Sequence, residues 1–380
     1  MRPFSFLHMK ILIAVFRIIV GLLFIFSGFI KANDTLGFSY KLDEYFEVFG
    51  THWLQPLSLF ISIFMCAMEM LLGFMLLIGA RIKPTLWLLL LMILFFAALN
   101  FYSGYFDKVR ECGCFGDAIK MTPWQEFRNN VIMLVMTIFM LFKKDYIRPL
   151  FGRKIENVFA VIIIIACLGF PLYTYNYLPI IDFRPYAIGK NIPEQTKGVP
   201  DEVKFFYSLK DKKNGELKEV TAWPENWDQT YDYVSSRTEV TKKGIEAKIK
   251  DFTISNLDGS DYTQDIIENP DYNFLLICYD LGKTEKSVFG KINDFAALCK
   301  QANVQFITLT SSSKETVEKF KQDAKTNIDF YTLDGTVLKT MIRSNPGLML
   351  LKGGTVINMW HYHSFPSFTD VKEKYFKSSK

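Results

Sequence analysis

ILIAVFRIIVGLLFIFSGFI, residues Ile11–Ile30, is an apolar run that contains a single charged side chain, Arg17. A helix needs roughly 20 mostly apolar residues to cross the ~30 Å hydrocarbon core of a bilayer. The run has that length and therefore predicts a membrane-spanning helix. Because the run is long for a signal peptide and Phe29–Asp34 offers no small-x-small cleavage site, we expect this helix to stay in the mature protein.

Four further apolar runs follow in the first half of the chain, and each predicts a span. They are Leu57–Ile78, Thr85–Tyr105, Phe127–Phe142 and Val158–Tyr177, of which Phe127–Phe142 is the shortest. After Tyr177 the composition changes, and from Ile188 onward Lys, Asp, Glu, Asn and Thr are abundant. The 50% of hydrophobic residues in the whole chain therefore averages a membrane half and a soluble half.

The expected fold class is a membrane all-α bundle followed by a soluble α/β domain. Residues 1–145 hold the first four spans, and residues 146–180 hold the fifth transmembrane helix. Residues 181–249 form a linker module, and residues 250–380 form the α/β domain. The domain boundaries follow from the change in composition.

Lys and Arg beside the predicted spans indicate which connections face the cytoplasm. They flank the first span and fill the second-to-third and fourth-to-fifth connections, at Arg2, Lys10, Arg81, Lys83, Lys143, Lys144, Arg148, Arg153 and Lys154. The alternate connections, Lys31–Trp53 and Phe106–Glu126, are longer and carry more acidic residues. Five spans then place the amino terminus in the cytoplasm and the domain after Tyr177 outside, which for a bacterial inner membrane is the periplasm. Loss of the Phe127–Phe142 span would invert this placement.

The net charge of +5 is shared between the membrane flanks and a soluble half of mixed charge. Nucleic-acid binding calls for a basic stripe interleaved with aromatic residues, and the sequence has none. We therefore exclude nucleic acid as a partner. The expected partners are the lipid bilayer and a periplasmic or membrane protein.

Two ionisable side chains fall well inside the predicted spans, where a charge is costly and usually faces a partner or a cavity. At 1.5 Å per residue, Arg17 lies roughly 10 Å from the cytoplasmic end of its helix, and Glu69 reaches a similar depth. The sequence therefore predicts a buried Arg17–Glu69 ion pair that orients the first two helices. The alternative is a proton or ligand site.

The sequence has six cysteines, and two of them lie close together. Cys66 and Cys167 are single thiols in apolar spans, where buried thiols are usually inert. Cys112 and Cys114 lie in ECGCFGD, in a connection that the charge pattern places outside, an oxidising location. Gly113 permits the sharp turn that a small, strained and easily reduced disulfide needs. The pair is a candidate for redox exchange, for a structural clip or, although no His is near, for part of a metal site.

Short motifs follow one another in order along the predicted helices. They are RIIVG (Arg17–Gly21), FSGFIK (Phe26–Lys31), EMLLG (Glu69–Gly73), LIG (Leu77–Gly79) and CGCFG (Cys112–Gly116). Together they resemble the DoxX family and its methylamine-utilisation MauE relatives over residues 1–145. The resemblance implies a four-helix membrane bundle linked to quinone or thiol redox chemistry and to maturation of disulfide-containing periplasmic proteins. Quinone is the one cofactor that it suggests.

The linker module contains a turn signal and an aromatic cluster. Lys213-Asn214-Gly215 separates two β-type runs, Phe205–Tyr207 and Leu217–Val220, and so predicts a hairpin. The aromatic residues that follow are Trp223, Trp227, Tyr231 and Tyr233. They are expected to pack on the module, with the membrane interface as the alternative.

From Lys250 the chain alternates strands and helices and ends on two strands. The predicted strands are Asn273–Tyr279, Val304–Leu309, Ile328–Tyr331, Gly347–Leu351 and Thr355–Trp360, and the helices are Thr284–Ala302, Ser313–Ala324 and Thr336–Ile342. This order resembles the thioredoxin-like fold over residues 250–380. The resemblance implies a cis-proline at Pro346.

The loop that opens the first helix of this domain departs from the oxidoreductases of that fold. Their Cys-x-x-Cys lies where the helix N-terminus lowers a thiol pKa, but Asp280–Glu285 contains no cysteine. We expect Cys278, in an apolar strand, and Cys299, late on a helix, to lie in the core. The domain is therefore predicted to be a recognition module without dithiol chemistry. We expect His361 and His363 to be exposed edge residues rather than metal ligands.

Two functions fit these features. In the first, the chain is a membrane redox component, in which Cys112 and Cys114 exchange electrons with a periplasmic thiol partner or a quinone while the outer domain selects the client. In the second, it is a non-enzymatic scaffold or assembly factor of an envelope complex. The cysteine pair favours the first.

Overall fold

The computed structural model describes residues 6–109, 116, 118–225, 227–244 and 246–376. Long helices make up the first half of the chain. They are α1 (Phe6–Asn33), α2 (Thr35–Val48), α3 (Ser58–Ile78), α4 (Ile82–Phe106), α5 (Pro123–Phe142) and α6 (Arg153–Asn176).

Among the described residues, four helical segments are long and apolar enough to cross a bilayer. They are His8–Asn33, His52–Ile78, Ile82–Phe106 and Arg153–Asn176. The predicted span Phe127–Phe142 is helical within α5 but is not among the four, because polar residues occupy the first two turns of α5. Those residues are Gln125, Glu126, Arg128, Asn129 and Asn130. The structure thus supports four apolar spans where the sequence predicts five.

Helix α5 nevertheless connects the two ends of the bundle. It begins at a capping box, in which the Thr122 hydroxyl accepts from Gln125 N–H and the Gln125 side chain accepts from Thr122 N–H. It packs along α4 and α1. The connection after α5 returns to the turn between α3 and α4, where Leu150 N–H donates to the Ile78 carbonyl at 2.9 Å. α5 therefore runs from the end where α2 lies, called the α2 end below, to the opposite end.

Helices α1 and α3 pack backbone against backbone through glycines. A Cβ atom on Gly28 would lie 2.9 Å from the backbone nitrogen of Met70, and one on Gly73 would lie 2.7 Å from the carbonyl oxygen of Gly21. These distances are shorter than any carbon can keep without a shift of the helices. Only glycine permits this close approach.

Helix α2 lies in the connection between the first two spans, for which the sequence analysis predicts no helix or strand. The Asp34 carboxylate caps its first turn by accepting from Gly37 N–H at 3.0 Å. The Ser62 hydroxyl of α3 donates to the Thr35 carbonyl at 2.8 Å, and the Thr35 and Thr174 hydroxyls lie 3.2 Å apart. These bonds tie α2 to α3 and α6.

The second half of the chain contains two sheets. The smaller is antiparallel, in the order β2-β1-β3, with β1 (Glu202–Asp211), β2 (Leu217–Val220) and β3 (Tyr231–Lys242). The Lys213–Gly215 turn lies between β1 and β2. Trp223 packs on Tyr207 and Trp227, with ring centroids 4.6 and 4.4 Å apart.

The larger sheet has six strands in the order β4-β7-β6-β5-β8-β9. They are β4 (Ser255–Asn256), β5 (Tyr272–Ile277), β6 (Gln305–Thr310), β7 (Asp329–Thr332), β8 (Gly347–Lys352) and β9 (Thr355–His361). Strands β5, β6 and β7 are parallel, and the other three pair antiparallel to their neighbours. The five predicted strands of this region match β5 to β9 within two residues at each end.

Helices cover both faces of the larger sheet and bury two apolar cores. Two short helices, α7 (Ile192–Thr196) and α8 (Trp227–Thr230), precede this part of the chain. The helices that follow are α9 (Thr263–Ile267), α10 (Phe289–Gln301), α11 (Lys314–Ala324), α12 (Gly335–Met341) and α13 (Phe368–Val371). One core contains Leu275, Ile307 and Met349, and the other contains Phe274, Phe295 and Phe320. The alternation of side chains along each strand assigns them to opposite faces.

Candidate functional site

The segment that carries Cys112 and Cys114 lies outside the described residues. Its flanks are described on both sides. Val109, after α4, is fully buried. Gly116 lies beside the last turns of α1, since a Cβ atom built on it would be 3.7 Å from Cγ2 of Ile30. Both flanking residues therefore lie at the α2 end of the bundle.

The ion pair inside the bundle is Lys31–Glu69. The Lys31 ammonium nitrogen lies 2.6 Å from Oε1 of Glu69, and each side chain is only 1% exposed. The ammonium also donates to the Ser27 hydroxyl at 2.9 Å and faces the ring of Phe96, with the centroid 4.4 Å away. The ring contact and the hydrogen bonds replace part of the hydration that the charge loses.

The sequence predicts that Arg17 pairs with Glu69, but in the structure it does not. Its guanidinium donates to the carbonyls of Leu76, at 2.8 Å, and Leu77, in the last turn of α3. Carbonyl groups in the last turn of a helix have no partner within the helix and attract a cation. Because α1 and α3 are antiparallel, Arg17 meets the end of α3, whereas Glu69 lies opposite Gly28 and within reach of Lys31.

A cavity of about 280 Å³ opens next to the Lys31–Glu69 pair, between α1, α4 and α5. Apolar side chains form most of its wall: Ile19, Leu23, Phe24, Ile93, Phe96, Ile132, Met133 and Met136. Its polar wall consists of Ser27, Lys31, Glu69, Glu126, Asn129 and Asn130. This combination of an apolar wall and a few polar groups is typical of ligand sites.

Three buried polar atoms at this cavity have no hydrogen-bond partner among the residues that the structure describes. They are Oε2 of Glu69, Oε1 of Glu126 and Nδ2 of Asn130. The other oxygen of Glu126 accepts from the Asn100 amide at 3.3 Å. An unpaired buried polar atom costs roughly 1–3 kcal/mol. Three of them at one cavity indicate a site that a ligand completes.

The larger sheet docks onto α2 through an ion pair. The Arg343 guanidinium donates from Nε and Nη2 to the two Asp34 oxygens, at 2.7 and 2.8 Å. Burial opposes ionisation of Asp34, but the Arg343 charge and its hydrogen bonds outweigh this effect, so the pKa of the carboxyl lies below its usual value. Two more contacts join the same surfaces: Tyr40 O–H donates to the Tyr279 oxygen at 2.9 Å, and the rings meet edge to face.

Two loops of the larger sheet form this docking surface. The Asn345–Pro346 peptide bond is cis. The Asn345 side chain accepts from the Thr284 hydroxyl at 2.9 Å and donates to the Asp280 carbonyl at 2.9 Å. The loop Asp280–Glu285 is therefore held against Asn345, two residues from the Arg343 that binds α2.

The cysteines near the larger sheet are inaccessible. Cys278 and Cys299 are both fully buried, as the sequence predicts. Burial raises the pKa of the Cys278 thiol well above its usual range and raises the pKa of Cys299 to about 12. Neither thiol forms a thiolate near neutral pH.

His361 differs from the sequence prediction, because it is buried rather than exposed, at 3%. Its Nδ1 accepts from the His363 N–H at 3.2 Å. Burial and the neighbouring His363 lower the pKa of His361 to about 4. Across the described ranges, no group of three or more His, Cys, Asp or Glu side chains has the arrangement of a metal site.

Several of the residues in these contacts were not predicted. Lys31 and Glu126 lie at predicted span ends, where charged residues are common, so their burial gives no signal in the sequence. Asp34 and Arg343 are 309 residues apart, and no local pattern relates them. The sequence singles out only Glu69 among the cavity residues, as an ionisable group well inside a span.

The membrane part of the chain is similar to a known protein family. Residues 9–143 match the family model described as methylamine utilisation protein MauE. The chain is also 25% identical over 131 residues to Protein TlpB of Flavobacterium psychrophilum, a stretch that is 33% of this chain and 35% of TlpB. The chain thus spans about a third of the length of that curated relative. The protein thus has a membrane region that matches the MauE family model, followed by a mixed α/β region.

Proposed function

We propose that this chain is a thiol-linked redox component of the bacterial inner membrane, with Cys112 and Cys114 as its exchanging pair. The observation that carries the proposal is the burial of every cysteine in the part of the chain that the structure describes: Cys66, Cys167, Cys278 and Cys299. Thiol exchange requires an accessible thiolate. Cys112 and Cys114 then remain as the reactive candidates, between two flanks that lie at the α2 end.

The proposed step is a dithiol–disulfide exchange. A client dithiol attacks the Cys112–Cys114 disulfide, and the client cysteines leave joined to each other. Two electrons and two protons pass to the pair, which becomes a dithiol. The disulfide of a second protein, or a membrane quinone, then takes the two electrons and two protons; it is reduced to a dithiol or a quinol, and the Cys112–Cys114 disulfide is restored.

The MauE match supports this reading, as the resemblance to that family implies thiol or quinone chemistry in the membrane. We propose that the larger sheet is a thioredoxin-like recognition domain without redox activity. Its strand order and the cis bond before Pro346 support that fold. The lack of cysteine in Asp280–Glu285 supports the absence of dithiol chemistry.

The experiment labels the native membranes of cells with a thiol-reactive mass tag, with and without prior reductant. Because the four described cysteines are buried, we expect tagging only at Cys112 and Cys114, and only after reduction or during turnover. The Cys112→Ser/Cys114→Ser chain is the control and should take no tag. Equal tagging before and after reduction, together with an unchanged phenotype of the double variant, would rule out the proposed redox function.

The direction of the chain in the membrane is part of the proposal. The amino terminus lies in the cytoplasm, and the two sheets lie in the periplasm, because basic residues concentrate at the end of the bundle opposite α2. We expect activity from a reporter that is fused after Lys380 and that works only outside the cytoplasm. Activity of a cytoplasm-only reporter at the same position would overturn both the direction and the oxidising location of the cysteines.

A second function, a non-enzymatic assembly factor, has an observation of its own. The Arg343–Asp34 pair and the Tyr40–Tyr279 contact hold the larger sheet against the bundle, as a scaffold requires. This function predicts a stable complex with another envelope protein after purification in mild detergent. A phenotype that survives the double serine substitution, together with such a complex, would favour the scaffold over the redox component.

A further inference from the structure

We propose that the cavity between α1, α4 and α5 binds a membrane-soluble molecule whose polar end carries hydroxyl groups. The cavity lies within the bundle, next to Lys31 and Glu69. The inference does not depend on the thiol chemistry proposed above. It rests on the wall of the cavity, on the unpaired atoms of its polar residues and on the exposure of the side chains at its edge.

The edge of the cavity faces the lipid. Ile19 and Leu23 of α1 are each 38% exposed, and Ile132 of α5 is 48% exposed. In a bilayer, such apolar side chains contact acyl chains. A ligand therefore enters from the membrane between α1 and α5. The volume of about 280 Å³ accommodates a polar end and the first part of an apolar body, and the rest of the ligand lies among the lipids.

The unpaired atoms define the polar end of the ligand. Oε2 of Glu69 and Oε1 of Glu126 are acceptors, so the ligand must donate to them. Nδ2 of Asn130 is a donor and needs an acceptor. A hydroxyl group both donates and accepts, whereas an ammonium group only donates. Hydroxyl groups therefore satisfy all three atoms.

The charges exclude an anionic headgroup. Lys31 is committed to Glu69 at 2.6 Å, and Glu126 forms no ion pair with any residue that the structure describes. A phosphate or carboxylate group placed here would meet the Glu126 charge, and Lys31, the cation among the described cavity residues, already pairs with Glu69. A neutral polyol or phenol carries no such penalty.

The test uses the full chain in nanodiscs of phosphatidylcholine and four probes. Decylhydroquinone and 1-monooleoylglycerol carry free hydroxyls, and decyl-1,4-dimethoxybenzene and methyl oleate are their counterparts without hydroxyls. We expect at least one hydroxyl probe to bind with a measurable Kd by titration calorimetry, and each counterpart to bind at least tenfold more weakly. Which hydroxyl probe binds distinguishes an aromatic diol from a glycerol lipid.

Two pairs of variants locate the binding. In Glu126→Gln the amide oxygen still accepts from the Asn100 amide, so the amide nitrogen faces the cavity. The nitrogen can only donate, and the ligand hydroxyl that donated to the Glu126 oxygen therefore loses its acceptor. We expect about tenfold weaker binding. Ile19→Trp fills the entrance and should abolish binding, while Ile18→Trp, on the exposed lipid face of α1 and outside the cavity wall, should bind as the unmodified chain does.

Three results would overturn the proposal. The first is equal binding of a hydroxyl probe and its counterpart, which would show an unspecific apolar site. The second is unchanged binding in both Ile19→Trp and Glu126→Gln, which would place the ligand elsewhere. The third is no binding of any probe to chain whose helical content and thermal midpoint are intact. Because Cys112 and Cys114 are unchanged in these variants, failure here is separate from failure of the redox function.

Discussion

The ammonium of Lys31 and the carboxylate of Glu69 form an ion pair of 2.6 Å inside the bundle, in the polar wall of its cavity. Each charge is almost fully removed from solvent. A charge left alone in this position would be buried beside a mostly apolar cavity, so each of the two charges stabilises the other. The pair joins the end of α1 to the middle of α3.

We expect Glu69→Gln or Lys31→Met alone to lower the free energy of unfolding of the bundle by roughly 3–5 kcal/mol, because each leaves one buried charge. The double variant Lys31→Met/Glu69→Gln should cost clearly less than the sum. Unfolding in mixed micelles with increasing SDS measures all three. Additive effects within about 0.5 kcal/mol would show that the two groups are not coupled.

The close approach of α1 and α3 makes Gly73 sensitive to a single methyl group. Gly73→Ala places a carbon 2.7 Å from the Gly21 carbonyl, so the helices must separate, at roughly 1–3 kcal/mol. Gly169→Ala is the matched control, because a Cβ atom in that part of α6 meets nothing within 4 Å. We expect a lower thermal midpoint in detergent for Gly73→Ala only. Equal midpoints for both variants would contradict the glycine contact.

Removal of the Arg343 charge should loosen the larger sheet from α2. Arg343→Gln leaves the Asp34 carboxylate without its ion partner, and we expect a cost of roughly 2–3 kcal/mol in docking. Hydrogen exchange of the α2 amides should then accelerate. Lys41→Gln, which removes the exposed Lys41–Glu44 pair of the same helix, should change exchange by less than about threefold, because exposed pairs contribute little. Similar acceleration in both variants would argue against docking through Arg343.

The same contact predicts how docking depends on pH. The pKa of Asp34 is lower in the docked state than in the undocked state, because undocking removes the charge and the hydrogen bonds of Arg343. The stabilisation is therefore complete above the undocked pKa and is lost as the pH falls through the lower, docked pKa. Exchange of α2 amides, corrected for intrinsic rates, should be constant from pH 8 to about 5 and rise below about 4. In Asp34→Asn this acid transition should be missing, and its persistence would assign it to another group.

Hydropathy and alternation account for the elements that the sequence predicts well. Apolar runs of span length locate α1, α3, α4 and α6, since the bilayer sets both length and composition. Buried strands such as Leu348–Leu351 read as continuous apolar runs because helices cover both faces of the sheet. Strand β3 was missed, because nearly all of its residues are exposed and their polarity gives no alternation.

The contacts of the polar groups were harder to predict. Counting residues along each helix assigned Glu69 to Arg17, but the depth of a helical residue does not include the reach of its side chain. Lys31, near the end of α1, extends toward Ser27 and so reaches Glu69. The cavity depends on how three helices are spaced, and one sequence holds no information on that spacing.

The separation of 309 residues between Asp34 and Arg343 has a consequence for the order of assembly. At roughly 5–20 residues per second, a ribosome needs on the order of 15–60 s to synthesise the chain between them. Throughout that time the Asp34 carboxylate lacks the guanidinium that it contacts in the complete structure. The larger sheet can therefore dock onto α2 through this ion pair only after the chain has been synthesised as far as Arg343.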